Sequence, residues 1–273
     1  MRRIALGALG VVAGVAVLTA CGSSNVPGQA TGQAPAVQPK SVTDLAHLVS
    51  LQTSTKHTVH IQFDAKSSAG SFTGTGQADL AGAASKMALT MQSPIGELDM
   101  VLTGSALYLK APAALHSAKP WVKVDANGTD EASKAVAALV SQEQQTADPS
   151  QALQQIASAG KIDQATPDQV NGQPATRYVI TVNTQKLLNS NFISPQMRQL
   201  LESAQNVSKL PPSLTYDVWI SSDNLPAKMD LTEDLTVRGN AVHVSVDMTY
   251  SDWGAPVSIT APPADQVGPL PGH

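Results

Sequence analysis

Alternating apolar and polar residues run through two long parts of this chain of 273 residues. In TVHIQFDA, Val59, Ile61 and Phe63 alternate with polar side chains, and KMALTMQ and GELDMVLTG continue the pattern. The alternation returns near the C terminus in SLTYDVWISSD and NAVHVSVDMTY. A period of two is typical of strands with one dry and one wet face. Gly, Ser, Pro or Asn separates the segments, which favours antiparallel strands joined by short turns.

Helical patterns interrupt the strands at four places. Ser41 precedes an apolar stripe of helical period, with an acidic residue three positions on, and predicts a capped helix over 42–54. An Ala-rich stretch predicts a helix over 130–145, and a further helix is predicted over 148–160, where a Pro lies in the first turn and a Gly at the end. A fourth helix is predicted from 194 onward.

The order of these elements predicts the fold class. A helix is followed by about six strands, two helices, a strand, a helix and three strands, without the β-α-β alternation of a parallel sheet. We therefore predict an α+β fold in which one large, curved antiparallel sheet forms a half-open β-barrel. The helices are expected to pack on its concave, dry face.

The apolar side chains of this dry face are the candidate binding site. Aromatic residues make up only 4% of the chain, so small or flexible side chains must fill a wide sheet. Such a face can leave a gap for a ligand, and methionines would line it pliably. The alternative is that the helices fill the space completely. The candidate cavity residues are Val59, Ile61, Phe63, Met87, Leu89, Met91, Leu98, Met100, Leu102, Tyr178, Ile180, Leu214, Tyr216, Val218, Met229, Leu231, Val244, Val246 and Met248.

The N-terminal residues have the pattern of an export signal. Two Arg precede an apolar run that ends in Leu18-Thr19-Ala20-Cys21, which resembles the lipobox of bacterial lipoproteins. We predict a signal peptide over 1–20 and a lipidated Cys21. The alternative is a retained membrane helix in which Cys21 is incidental.

The rest of the chain divides by composition. Residues 21–40 are predicted to be the lipidated terminus and a flexible tether, which would hold the next domain roughly 25 Å from the lipid. A single lipid-binding domain is predicted over 41–262, and 263–273 form a Pro-rich tail. The protein is then expected outside the cytoplasm, anchored by lipid to the outer face of the cytoplasmic membrane.

Composition argues against several kinds of chemistry. The formal charge is −4, and basic residues are scattered, which disfavours nucleic acid as a partner. The single cysteine excludes an intrachain disulfide and a zinc finger. His57 and His60 are three apart on a strand and would point to opposite faces, and Glu97 and Asp99 suit a solvated strand face. We predict no cofactor, no metal site and no enzymatic activity.

Several segments together resemble a known family. The segments are TVHIQFDA, GTGQADL, GELDMVLTGSALYLKAP and WVKV, followed later by PATRYVITVNTQKL and LTYDVWISSDNLPAKMDL. Their residues and their order are similar to those of the LppX/LprG-type lipoproteins of actinobacteria. The resemblance covers about 42–262. It implies a fold like that of the LolA/LolB carriers, with acyl chains held between sheet and helices, but it assigns no single ligand-contact residue.

The resemblance also implies a function. It suggests a membrane-anchored lipoprotein that binds an acyl-chain ligand such as palmitate and carries or presents lipid or lipoglycan at the cell envelope. Its expected partners are the lipid, the membrane and a membrane transporter. An envelope interaction or sensor module without lipid cargo is the alternative. An enzyme ranks last, because the sequence contains no recognisable nucleophile and base.

Overall fold

The computed structural model describes residues 38–67, 70–81, 85–94, 96–104, 106–110, 119–125, 149–190, 211–237 and 240–269. These residues contain three α-helices and twelve strands, and all twelve strands belong to one sheet. Cys21, the export signal and the predicted helices over 130–145 and from 194 onward lie outside the described residues.

The helices and strands have the following bounds. The helices are α1 (Val42–Lys56), α2 (Pro149–Ala157) and α3 (Thr184–Leu188). The strands are β1 (Thr58–Ser67), β2 (Gly70–Asp79), β3 (Lys86–Ser93), β4 (Gly96–Thr103), β5 (Ala106–Lys110), β6 (Trp121–Asp125), β7 (Gly160–Val170), β8 (Gln173–Asn183), β9 (Ser213–Ser221), β10 (Pro226–Val237), β11 (Asn240–Ser251) and β12 (Val267–Pro269).

The sheet is open. Its strand order is β12-β6-β5-β4-β3-β2-β1-β11-β10-β9-β8-β7, so β12 and β7 form its two edges. Every neighbouring pair is antiparallel except β12 and β6, which are parallel. The sequence order turns back on itself where β1 pairs with β11, which joins the early and late strands into one surface. The predicted α+β class, built on one large antiparallel sheet, is confirmed.

Helices α1 and α2 cover one half of the apolar face of the sheet. Leu45 and Val49 of α1 and Leu153 of α2 pack in one cluster with Ile180 of β8 and Val218 of β9, and all five are at most 1% exposed. The apolar stripe of α1 that is visible in the sequence is therefore the surface that meets the sheet.

The start and end of α1 follow from its sequence. The Ser41 hydroxyl accepts a hydrogen bond from the backbone N–H of Asp44 at 3.1 Å, which satisfies one of the free donors of the first turn. The helix ends at Lys56, two residues later than the predicted end at 54, and it is capped by His57. The φ of His57 is 32°, in the left-handed region, and its N–H donates to the Thr53 carbonyl at 2.7 Å. The chain then enters β1 directly at Thr58.

Two strands were not predicted from the sequence. Strand β7 is an edge strand that includes Pro167 and mostly polar residues, so its alternation is weak. Gly160, which was expected to end the preceding helix, begins this strand instead. In the tail, residues Val267 to Pro269 pair with β6, and the Lys119 ammonium donates to the carbonyl of Asp265 at 2.6 Å. Only long-range pairing reveals such short edge segments.

Candidate functional site

The candidate cavity residues occupy a single face of the sheet, because their strand pairings place them opposite one another. They divide into two groups by exposure. Seven are buried, namely Val59, Ile61, Met87, Leu102, Tyr178, Ile180 and Val218. Twelve are partly exposed, namely Phe63, Leu89, Met91, Leu98, Met100, Leu214, Tyr216, Met229, Leu231, Val244, Val246 and Met248.

The partly exposed group forms a continuous surface, which we call the apolar trough. Phe63 of β1 lies opposite Met248 of β11, and Met248 lies opposite Met229 of β10. One row further along, Val246 lies opposite Leu231. Cross-strand partners of this kind lie about 5 Å apart, so the side chains touch in rows across the strands.

Strand β2 contributes glycines to the middle of this surface. Gly74 lies between Phe63 and Met91 in the pairing register, and Gly76 lies between Ile61 and Leu89. A Cβ atom on Gly74 would stand 2.3 Å from the ring of Phe63, so this ring rests directly on the glycine backbone. The GTGQAD segment that holds these glycines lies inside strand β2 and does not precede a helix.

Polarisable groups meet near the centre of the trough. The Tyr250 hydroxyl lies 3.7 Å from the sulfur of Met229 and 3.8 Å from the sulfur of Met248. The Tyr250 ring stacks against Trp253 at 6.3 Å between centroids, and the indole N–H of Trp253 donates to the carbonyl of Pro226 at 2.8 Å. Thioethers beside an aromatic ring give an apolar surface that can adapt its shape.

The rim of the trough holds a carboxylate that the sequence analysis did not single out for this face. Glu233 lies opposite Val244, and its Oε1 accepts the backbone N–H of Thr215 at 2.7 Å. Burial raises the pKa of the nearby Tyr216 phenol, and the negative charge of Glu233 raises it further. Tyr216 therefore stays neutral at physiological pH. Glu233 could have been found from the sequence by extending the row of Met229 and Leu231 by one step.

Three of the described histidines pair with carboxylates near the surface. His57 caps α1 and does not lie on a strand with His60, contrary to the sequence prediction, and its Nδ1 is 2.8 Å from Asp79. His60 Nδ1 lies 3.2 Å from Asp252, and His243 Nδ1 lies 2.8 Å from Asp234. The described parts of the chain contain no group of three or more His, Cys, Asp or Glu side chains that could hold a metal ion. Across the same parts, no helix has the length and apolar character needed to cross a membrane.

The described residues thus define an α+β protein with an open antiparallel sheet, one apolar face of which is covered by α1 and α2 over β8 and β9. On the other half of this face, a second cluster that includes Val59, Met87 and Leu102 is buried, while the apolar trough remains partly exposed. No family model matches the sequence. An uncharacterized 31.2 kDa protein from the rplA-rplJ intergenic region of Streptomyces griseus is 27% identical over 158 residues. This match covers 56% of the chain and 49% of that protein, so it spans about half the length of the curated relative.

Solved structures also resemble the chain. LprF from Mycobacterium bovis has 15% identity and a TM-score of 0.48, over 81% of this chain and 97% of that one. Lipoprotein LppX from Mycobacterium tuberculosis has 9% identity and a TM-score of 0.48, over 80% and 98%. The MucA/MucB complex of Pseudomonas aeruginosa has 13% identity and a TM-score of 0.37, over 82% and 60%.

Proposed function

We propose that this protein is an exported, lipid-anchored, non-enzymatic protein that binds an acyl-chain ligand in the apolar trough. It carries or presents lipid or lipoglycan at the cell envelope. The observation that supports this proposal is the contiguous, partly exposed row of Phe63, Met248, Met229 and their neighbours on the apolar face of the sheet. A contiguous apolar surface that is not fully buried is a candidate site for a ligand or partner.

The composition of the trough suits a hydrocarbon chain. Its members are Leu, Val, Met, Phe and Tyr, and the titratable groups identified at its edge are Glu233 and the neutral phenol of Tyr216. Each methylene that leaves water contributes about 0.8 kcal/mol, so a long acyl chain can bind without any specific polar contact. Methionine side chains adapt to chains of different length and saturation.

The proposal is tested with a form that lacks residues 1–21 and cannot be acylated at Cys21, a deletion that removes none of the described residues. We expect native mass spectrometry to detect co-purifying lipid, and a fluorescent fatty acid to bind the delipidated protein. Met248→Gln should weaken this binding about tenfold, since it places a polar amide in the trough. Thr249→Gln is the matched control, because the adjacent residue points to the opposite face.

The same experiment separates this function from its alternative. If the protein contains no lipid and the fatty acid does not bind, lipid carriage is wrong, and a sensor or interaction module without lipid cargo becomes the better proposal. Equal effects of Met248→Gln and Thr249→Gln would place the binding elsewhere.

The membrane anchor is proposed at Cys21. A diacylated cysteine gives stable attachment, whereas a single acyl chain gives only marginal binding. Metabolic labelling with an alkyne analogue of palmitate should label the wild-type protein and not Cys21→Ala, which should also fail to fractionate with membranes. Labelling that persists in Cys21→Ala would contradict the assignment. A membrane transporter is the proposed source or recipient of the lipid.

A further inference from the structure

The opposite face of the sheet carries a concave surface, which we call the polar groove. Two cavities of about 590 and 430 Å³ lie side by side on strands β1 to β4 and β11. They share Gln62, Thr75, Thr90 and Thr249, so they form one continuous depression. Both volumes lie in the range of small-molecule sites. Along β1 the groove extends from His60 through Gln62 to Asp64, a distance of about 13 Å.

The centre of the groove offers hydrogen-bonding groups that the protein leaves unused. The side chains of Gln62, Thr75 and Thr249 make no hydrogen bond to any described residue, although the register places them directly opposite one another. An amide and two hydroxyls can both donate and accept. A ligand rich in hydroxyl groups matches this combination, because each hydroxyl also donates and accepts.

The charges of the groove disfavour an anionic ligand. Its carboxylates are Asp64, Asp99, Asp247 and Asp252, and no Lys or Arg is among the residues that line it. Lys66, Lys110 and Lys228 pair with the first three of these carboxylates, but all three lysines lie outside the lining. A phosphate or carboxylate ligand would therefore meet carboxylates in the groove, while these three cations are already engaged in ion pairs.

The first cavity of the groove adds an aromatic ring and an amide. Trp121 of β6 borders this cavity, and the Lys110 ammonium lies 6.0 Å from its ring. Asn171, in the turn between β7 and β8, borders the first cavity as well. An indole ring presents an apolar face with one N–H donor, which suits the C–H face of a pyranose. The groove thus combines flat apolar contact with neutral hydrogen-bonding groups.

We infer that the polar groove binds an uncharged oligosaccharide. The ligand lies across β1, β2, β3 and β11, with its hydroxyls bonded to Gln62, Thr75, Thr90 and Thr249. Phe63, Leu89 and Met100 of the apolar trough also border the two cavities, since they alternate with the polar residues along the same strands. The polar side chains of this site point away from the apolar trough, because consecutive residues of a strand point to opposite faces of the sheet. Acyl chain and saccharide can therefore bind at the same time.

The test uses the indole N–H signals of the three tryptophans in a ¹⁵N-labelled form without residues 1–21. Maltohexaose, cellohexaose and mannohexaose are titrated at millimolar concentration, with an oligogalacturonate of equal length as the anionic probe. We expect at least one neutral hexasaccharide to shift the Trp121 signal, while those of Trp219 and Trp253, which do not line the groove, stay in place. The oligogalacturonate should leave all three unchanged.

Matched variants locate the binding. Gln62→Ala should weaken it roughly fivefold, as expected for about one net hydrogen bond. Ser71→Ala should have no effect, because Ser71 is exposed on the same face of β2 but outside the groove. A fluorescent fatty acid should bind equally well with and without the saccharide.

Several results would overturn the inference. No shift with any neutral hexasaccharide would contradict it, as would stronger binding of the oligogalacturonate. Equal effects of Gln62→Ala and Ser71→Ala would place the binding outside the groove. Because fatty-acid binding is measured separately, loss of one activity does not imply loss of the other.

Discussion

The two halves of the apolar face have the same sequence pattern but different surroundings. Over β8 and β9, α1 and α2 bury residues such as Ile180 and Val218 completely. Over β1, β3 and β11, equally apolar residues such as Phe63, Met91 and Met248 remain partly exposed. Alternation therefore identifies the dry face, but it does not distinguish a packed core from a binding surface.

Because of this difference, the two halves should contribute differently to stability and to ligand binding. Apolar area that is buried on folding stabilises the native state by about 25 cal/mol per Å². Area that stays exposed in the folded protein contributes little to stability and remains available for a ligand. The covered half should therefore determine stability, and the apolar trough should determine binding.

The largest expected effect comes from truncating one leucine in each half. Leu45→Ala should lower the free energy of unfolding by about 2–5 kcal/mol, because Leu45 is 1% exposed between α1 and the sheet. Leu98→Ala should cost less than about 1.5 kcal/mol, since its side chain is partly exposed, yet it should weaken fatty-acid binding. Urea unfolding measures the first effect and fluorescence titration the second. Equal losses of stability would show that the two halves are packed alike.

The next prediction tests the contact between Gly74 and the Phe63 ring in the apolar trough. In Gly74→Ala, the new Cβ atom would stand 2.3 Å from the Phe63 ring and 2.8 Å from the Thr90 carbonyl, so both must move. We expect a loss of about 1–3 kcal/mol in unfolding experiments. Adding Phe63→Leu should recover part of this loss, because the smaller side chain leaves the glycine site. A double variant no more stable than the sum of its single changes predicts would contradict the Phe63–Gly74 contact.

A smaller effect is expected on the polar face beneath the boundary of the two halves. Asp217, Asp230, Asp247 and Asp64 lie opposite one another on four adjacent strands. Lys228 lies 3.7 Å from Asp230 and 2.5 Å from Asp247. Removing this ammonium in Lys228→Met should cost about 1 kcal/mol, because like charges opposite each other destabilise a sheet.

Lys66→Met is the control for Lys228→Met, and it concerns the same row of four aspartates. Lys66 pairs with Asp64 at the end of the row, but its side chain is 63% exposed, so its removal should leave the free energy of unfolding almost unchanged. Urea unfolding measures the free energy of unfolding of both variants, and added salt should make their values more alike. A difference that does not depend on salt would mean that Lys228 acts through packing.

The smallest effect concerns Asp99 of β4, whose side chain lies on the face of the sheet opposite the apolar trough. Partial burial acts to raise the pKa of Asp99, but hydrogen bonds from Lys110 and Thr90 and the charge of Lys110 outweigh it, so this pKa lies below its usual value. A carboxylate with a lowered pKa stabilises the fold above its ordinary pKa of 3.8, and this contribution is lost as pH falls through the lowered value.

Lys110→Met should therefore reduce stability by a few tenths of a kcal/mol at pH 7 and by less at pH 2. Urea unfolding at both pH values measures this difference, and NMR titration of the Asp99 carboxyl should show its pKa move upward. A loss that is equal at the two pH values would contradict the electrostatic cause.

The sequence predicted some elements well because their signals are local. Helix α1 begins at Ser41 as expected, since the cap and the apolar stripe lie within one short segment. Strand β7 was missed, because an edge strand needs only one partner and tolerates Pro167 and a polar sequence. The contact of Gly74 with Phe63 could not be predicted in this way, because it depends on the register between β1 and β2.

By itself, the sequence determined most of the strands, the dry face and the fold class, because alternation and turn residues act over a few neighbours. Only the tertiary structure decided which apolar residues are covered, since coverage depends on where α1 and α2 dock on β8 and β9. It also decided that Thr249 of β11 meets Gln62, Thr75 and Thr90 of three consecutive strands in one groove, because β1 pairs with a strand far away in the chain. Burial and concavity arise from contacts between distant segments, and no local pattern encodes them.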